Sequence, residues 1–295
     1  FFPQMKSFTL SFLLAISLLS CGGSGSSSNP APQPNPPSLG GFNMMLMGNS
    51  FFRPYAEKLG ELAVDAGYTD HNANVVFRGG DNGRPLNLWN DASASAEIKT
   101  VLDVGNIDMF GMVSTPYDDP NDPNTLLDGY EEWINYALTN NPNIIVFIAI
   151  PQIDFPETWP QRATENGYAD INALFDWWVN DFSNDTLVDA LRVRFPNTTF
   201  FSIPTGLASL KLTQMWQDNL LSDTIAFRGA KATSLYTDEK GHQGDIIINA
   251  GTLIWLNSIY KVNLTNNTYN TGFQTDLHII AQDIMNAYDP AYKRP

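Results

Sequence analysis

Five short apolar runs along the chain have the length and composition of buried β-strands. The strongest, 144–150, is continuously apolar, which is typical of a central strand covered on both faces of a sheet. The predicted strands span 43–47, 74–77, 107–113, 143–150 and 198–203.

Amphipathic stretches with apolar residues at helical spacing lie between and after these strands. The predicted helices span 51–66, 94–101, 127–140, 169–182, 185–194, 206–217, 245–260 and 276–288. The alternation predicts an α/β fold, a three-layer α/β/α sandwich with a mainly parallel central sheet. In such sheets the active site forms at the carboxyl ends of the strands.

The first part of the chain has a different pattern. Met5-Lys6 precedes an apolar run that ends in Leu-Ser-Cys at Cys21, which predicts a bacterial lipoprotein signal peptide over 1–21 with lipidated Cys21. An ordinary signal peptide cleaved elsewhere is the alternative, which we disfavour because Cys21 is the only cysteine. Residues 22–41 are Gly/Ser-rich and then Pro-rich, as in a flexible linker, and 42–295 is the predicted folded domain. We therefore expect a protein that is exported and lipid-anchored in the bacterial cell envelope.

Composition narrows the classes of partner. The net charge is -15, from 31 acidic and 16 basic side chains, which argues against nucleic acid as a partner. We expect membrane contact only through the lipid anchor. One cysteine excludes a disulfide framework, and neither a nucleotide-binding glycine motif nor a His-Glu-x-x-His zinc motif is present. We expect no metal and no organic cofactor, and the sequence leaves the oligomeric state open.

Ser50 lies in the segment Met47-Gly48-Asn49-Ser50-Phe51, between the first predicted strand and the first predicted helix. A serine there is well placed for nucleophilic attack, because free N–H groups at a helix start can hold a developing oxyanion. The alternative is that Ser50 only caps the helix, since serine is a common N-cap residue.

Three histidines are candidates for a catalytic base. His278 falls inside a late amphipathic helix and His71 in a turn, so we expect structural roles for both. His242 lies in a polar loop with carboxylates three and four residues before it, and such a carboxylate can curl back to accept its Nδ1–H. A solvated loop with incidental charges is the alternative.

Three blocks make the chain resemble the SGNH (GDSL-type) hydrolase superfamily, particularly exported bacterial esterase-like members with a Gly-Asn-Ser-Phe first block. The first block holds Ser50, the second is Phe77-Arg78-Gly79-Gly80-Asp81, and the third runs from Asp238 to His242. The resemblance implies an SGNH/flavodoxin-like fold, Ser50 as nucleophile, His242 as base and an oxyanion hole made by the N–H groups of Ser50 and Gly80.

The sequence departs from the family pattern in two places. The family spacing is Asp-x-x-His, whereas Asp238 precedes His242 by four residues and Glu239 by three. We favour Asp238 by residue type. The family's Gly-x-Asn-Asp block is absent, so the third oxyanion donor could come from Ser114, from Gln152 or from backbone alone.

The resemblance implies a serine esterase that hydrolyses carboxylic esters through Ser50, His242 and Asp238. Acetyl or short acyl esters of carbohydrates are the candidate substrates, and a small-molecule ester is equally compatible. The alternative is a surface-anchored, non-catalytic glycan-binding protein on the same fold. A third interpretation is a lyase or transferase. Adjacent Trp177 and Trp178 are expected to pack into the core, because two neighbours on a helix cannot both face one site.

Overall fold

The computed structural model describes residues 39–116 and 123–295. The predicted signal segment with Cys21, and residues 22–38 of the predicted linker, lie outside the described residues. None of the helices in the described ranges is long and apolar enough to cross a membrane.

A five-stranded parallel sheet forms the centre of the domain. Its strands lie in the order β2-β1-β3-β4-β5. They span Asn43–Gly48 (β1), Asn72–Phe77 (β2), Met109–Val113 (β3), Ile145–Ala149 (β4) and Thr199–Ile203 (β5). The five predicted strands are therefore confirmed. A separate parallel pair, Ala226–Arg228 (β6) and Ser234–Tyr236 (β7), was not predicted, because three residues are too few to show a period.

Ten α-helices lie in the described ranges. They span Arg53–Asp65 (α1), Pro85–Asn90 (α2), Ala92–Leu102 (α3), Asp128–Asn140 (α4), Trp159–Glu165 (α5), Ile171–Asp176 (α6), Asp189–Arg194 (α7), Gly206–Gln217 (α8), Asp245–Tyr260 (α9) and Leu277–Ala287 (α10). The short helices α2 and α5 were not predicted. Helices α1, α8, α9 and α10 pack together, as do α2, α3 and α4, and they flank the sheet in the predicted α/β sandwich.

The prediction of two separate helices over 169–182 and 185–194 is wrong. The chain continues from α6 to α7 through a π-helical segment, Trp177–Val188. Two polar residues at the junction are buried and bonded: Ser183 contacts the Ser114 hydroxyl, and Asn184 accepts from Ser202. Tertiary hydrogen bonds here outweigh the low helix propensity of polar residues.

The strand order places a crevice where it reverses, between β1 and β3. In parallel α/β sheets ligands bind at such a point, outside the carboxyl ends of the strands. Ser50 follows β1, Ser114 follows β3 and Gln152 follows β4, so the three meet at this edge.

Close packing at the sheet centre gives a stability prediction. Gly111 on β3 pairs with Phe147 on β4, and a Cβ at Gly111 would lie 2.2 Å from the Phe147 ring. We expect Gly111→Ala to lower the free energy of unfolding by about 1–3 kcal/mol through overpacking. Gly79→Ala is the control in denaturant unfolding, because a Cβ there meets nothing within 4 Å. Equal unfolding midpoints for the two variants would contradict the prediction.

Candidate active site

Ser50 lies in a tight turn that joins β1 to α1. The Asn49 carbonyl accepts hydrogen bonds from the N–H groups of Phe52 and Arg53, at 3.1 and 3.0 Å, and Asn49 Oδ1 accepts from Phe51 N–H at 3.0 Å. Phe52 is the residue before α1, and no side chain caps this helix. The alternative that Ser50 is a helix cap is therefore wrong, and its hydroxyl is free for another partner.

That partner is His242, which the fold brings across from the C-terminal part of the chain. His242 Nε2 lies 2.8 Å from Ser50 Oγ, and His242 Nδ1 lies 2.5 Å from Asp238 Oδ2. The carboxylate against the ring is that of Asp238, not that of Glu239. The extra loop residue, Gly241, has a φ of +99°, a left-handed conformation that favours glycine and lets the loop curl back.

The pKa of Asp238 suits its role as the hydrogen-bond partner of the His242 imidazole. Burial raises its pKa, but hydrogen bonds from the His242 ring and from the N–H groups of His242 and Gly241 outweigh this, so the pKa of Asp238 is lowered. Asp238 is thus ionised at neutral pH and accepts the Nδ1–H of His242. Nε2 is then left to accept the Ser50 proton.

Two backbone N–H groups are available beside the side chains of Asp238, His242 and Ser50. Gly80 follows β2 with a φ of +57°, at the start of a short 3₁₀ helix, Gly80–Gly83, and it lines the same cavity as Ser50. Neither the Ser50 nor the Gly80 N–H donates a hydrogen bond to the described residues. This arrangement suits an oxyanion hole.

The two side chains considered as a third donor have other partners. The Ser114 hydroxyl lies 2.9 Å from Ser183 Oγ, and Gln152 Nε2 donates to the Gly241 carbonyl at 2.9 Å. Sequence reasoning missed Lys240, whose ammonium lies 3.6 Å from the position of a Cβ on Gly80. Its place between the candidate acid and base was the only signal in the sequence.

A cavity of about 370 Å³ opens beside Ser50 and Gly80. Trp177, Trp178 and Tyr168 line it together, so the argument that two adjacent tryptophans cannot both face one site is wrong. The expected core packing is confirmed, since Trp178 is buried in the hydrophobic core and Trp177 packs against it. The indole rings are 6.2 Å apart and inclined by 41°, and the Trp178 Nε1–H donates to a backbone carbonyl. Both residues lie at the start of the π-helical segment and form one wall of the cavity.

Ser50 also borders a second space of about 840 Å³, on the side of α1 and α9. Its walls carry paired charges. The pairs are Arg53–Glu57, Lys58–Glu61 and Lys231–Asp245, at 2.6, 3.3 and 3.6 Å. The candidate nucleophile thus lies where an aromatic cavity meets a polar groove.

The other two histidines lie outside both spaces. His71 Nδ1 contacts the Tyr260 hydroxyl at 2.5 Å, and His278 Nε2 contacts Asn267 Oδ1 at 3.1 Å. Burial lowers the pKa of both. In the described part of the chain, no group of three or more His, Cys, Asp or Glu side chains could hold a metal ion.

No family model matches the chain, and neither does any curated protein sequence. Two solved structures are similar at low identity. The periplasmic domain of a lipopolysaccharide acetyltransferase from Salmonella ser. Paratyphi A shares 15% identity, with a TM-score of 0.43 over 75% of this chain and 83% of that one. A DUF4886 family protein from Bacteroides uniformis shares 12% identity, with a TM-score of 0.49 over 83% of this chain and 95% of that one. With both TM-scores below 0.5, neither similarity assigns a function to this chain.

Proposed function

We propose that this protein is a serine hydrolase that cleaves carboxylic esters. The observation that carries the proposal is the contact series Asp238–His242–Ser50, at 2.5 and 2.8 Å, at the carboxyl end of β1. Nucleophile, base and orienting carboxylate in mutual hydrogen-bond reach are the recurring arrangement of serine acyl-transfer enzymes.

The reaction follows from these positions. Ser50 Oγ attacks the ester carbonyl carbon while His242 Nε2 takes its proton, and the resulting oxyanion faces the N–H groups of Ser50 and Gly80. Collapse of this intermediate expels the alcohol, which takes the proton from His242. A water molecule, deprotonated by His242, then attacks the acyl-Ser50 ester, and collapse of this second intermediate releases the acid while His242 returns the proton to Ser50 Oγ. Asp238 orients the ring and stabilises the imidazolium in both steps.

The cavity limits the acyl group that the site accepts. A volume of about 370 Å³ with an aromatic wall accommodates an acetyl or short acyl chain, or a sugar ring that carries one. We propose short acyl esters, including those of carbohydrates, as substrates. The aromatic wall supports this choice, since tryptophan rings offer apolar faces with polar edges.

We also propose that the protein works outside the cytoplasm, held to the membrane by lipid on Cys21. Support comes from the sequence of 1–21 alone. In cells that express the full chain, Cys21→Ala is expected to move the protein from the membrane fraction to the soluble fraction. A Cys21→Ala variant that stays with the membrane would contradict lipid anchoring.

Turnover of p-nitrophenyl esters of increasing acyl length tests the proposed reaction. We expect the highest kcat/KM for acetyl and other short chains, and loss of turnover in Ser50→Ala. Unchanged turnover in Ser50→Ala would contradict the proposed mechanism. No turnover on a broad panel of esters, together with glycan binding, would favour the non-catalytic alternative.

The two spaces at Ser50 favour a second candidate, acyl transfer to a bound alcohol. One space could hold the acyl group while the other holds an acceptor that replaces water in the second step. Adding a polyol acceptor to the ester assay distinguishes the two. Transfer predicts an acylated polyol in place of free acid, whereas hydrolysis predicts free acid at every polyol concentration.

A further inference from the structure

We propose that the buried amides of Gln152 and Gln243 are positioning residues, which hold the Asp238–His242 loop against the Ser50 turn. This inference rests on the proposed ester chemistry. Gln152 entered the sequence analysis as a candidate oxyanion donor. Its contacts give it a different role, in the geometry of the catalytic loop.

A relay of three hydrogen bonds carries the inference. Gln152 Nε2 donates to the Gly241 carbonyl at 2.9 Å, and Gln243 Nε2 donates both to Gln152 Oε1 at 3.0 Å and to the Phe51 carbonyl at 3.3 Å. The relay therefore joins three segments: the loop after β4, the catalytic loop and the turn after β1.

The relay meets the chain on each side of the reacting groups. Gly241 and Gln243 flank His242 in sequence, and Phe51 directly follows Ser50. The loop is closed on itself as well, since Thr237 N–H donates to the His242 carbonyl at 2.8 Å. Fixing these neighbours fixes the separation across which the proton passes from Ser50 Oγ to His242 Nε2.

Burial makes the relay stiff. Gln152 and Gln243 are only 2% and 3% exposed, so water cannot readily replace the bonds between them. A buried amide that loses its partner pays a desolvation penalty, which keeps this loop in one arrangement. A polar loop that contains glycine is expected to be flexible. The relay removes this flexibility beside His242 and so keeps the base next to Ser50.

Gln152→Met tests the relay, because methionine fills a similar volume but neither donates to Gly241 nor accepts from Gln243. We expect kcat for a short-chain ester to fall by about 10–100-fold with KM within about twofold, as small misplacements of reacting groups do. Gln243→Met is expected to lower kcat to a similar extent and to leave KM equally unchanged. The double variant should lose little more than the worse single variant, because the two amides act as one unit.

Asn141→Leu is the matched control. Asn141 is also buried, and its amide bridges Ile107 N–H and the Leu102 carbonyl at the opposite edge of the sheet. The variant is expected to lower the unfolding temperature while leaving kcat within about twofold, since it touches no reacting group. Should Gln152→Met not fold, Gln152→Leu, which also can neither donate nor accept a hydrogen bond, takes its place.

A spectroscopic readout separates failure of the relay from failure of the proposed function. The Nδ1 proton of His242, held by Asp238, should give a low-field proton NMR resonance, broadened in Gln152→Met and kept in Asn141→Leu. A folded Gln152 variant that keeps both kcat and this resonance would overturn the inference. If Ser50→Ala retained ester turnover, the proposed function would fail, and the resonance would still report whether the glutamines hold the loop.

Discussion

Ser50→Ala is expected to lower kcat for ester hydrolysis by about 10⁶-fold, the scale seen when a serine nucleophile is removed. Alanine leaves His242 and the two N–H groups of the oxyanion hole in place, so the residual rate comes from binding and oxyanion stabilisation alone. Ester binding should persist, with KM or inhibitor affinity changed little. Steady-state kinetics on p-nitrophenyl acetate, with the unfolding temperature checked in parallel, measures the effect.

Ser114→Ala is the matched control for this experiment. Ser114 follows β3 as Ser50 follows β1, but its hydroxyl contacts Ser183 rather than a histidine. We expect its kcat to stay within a few-fold of the unmodified protein. A loss as large as that of Ser50→Ala would show that the serine hydroxyls of this edge had been assigned wrongly.

Asp238→Asn is expected to cost about 10⁴-fold in kcat, because an amide stabilises the wrong tautomer of the base and cannot balance the imidazolium. The hydrogen bond and ion pair of His242 Nδ1 are made with Asp238 Oδ2 and not with the Glu239 carboxylate. Glu239→Gln should therefore retain nearly full activity. The reverse ranking would name Glu239 as the orienting acid.

The lowered pKa of Asp238 also predicts a pH dependence of stability. A carboxyl whose pKa is lower in the folded state stabilises the protein above the unfolded-state pKa, which is about 3.9 for aspartate. This stabilisation is lost as the pH falls through the lower, folded-state pKa. Relative to Asp238→Asn, the unmodified protein should hold its advantage in free energy of unfolding at neutral pH and lose it below about pH 4. An advantage that grows on acidification would contradict the assigned shift.

The sheet and most long helices could be predicted because their signals are local. Five apolar runs and regular amphipathic stretches carry the information themselves, and Pro54 and Gly67 mark the limits of α1. Features set by tertiary contacts could not be predicted this way. The π-helical segment depends on partners such as Ser114 and Ser202, which lie far away in sequence.

The candidate site also has features that the sequence predicts and features that depend on tertiary structure. Ser50, Gly80 and His242 could be selected from residue type, order along the chain and resemblance, together with an acid at either Asp238 or Glu239. Neither the choice between Asp238 and Glu239 nor the role of Gln152 could be, because both depend on how one loop curls in three dimensions. A glycine in a left-handed conformation sets that curl, and spacing alone does not show it.

Covalent capture of Ser50 tests the central claim most directly. The protein is treated with a fluorophosphonate, or briefly with p-nitrophenyl acetate, digested, and its peptides are sequenced by mass spectrometry. The proposed mechanism predicts an adduct on Ser50 that is absent in Ser50→Ala and forms much more slowly in His242→Gln. Ester turnover with no adduct on Ser50, or an adduct that forms equally fast without His242, would contradict it.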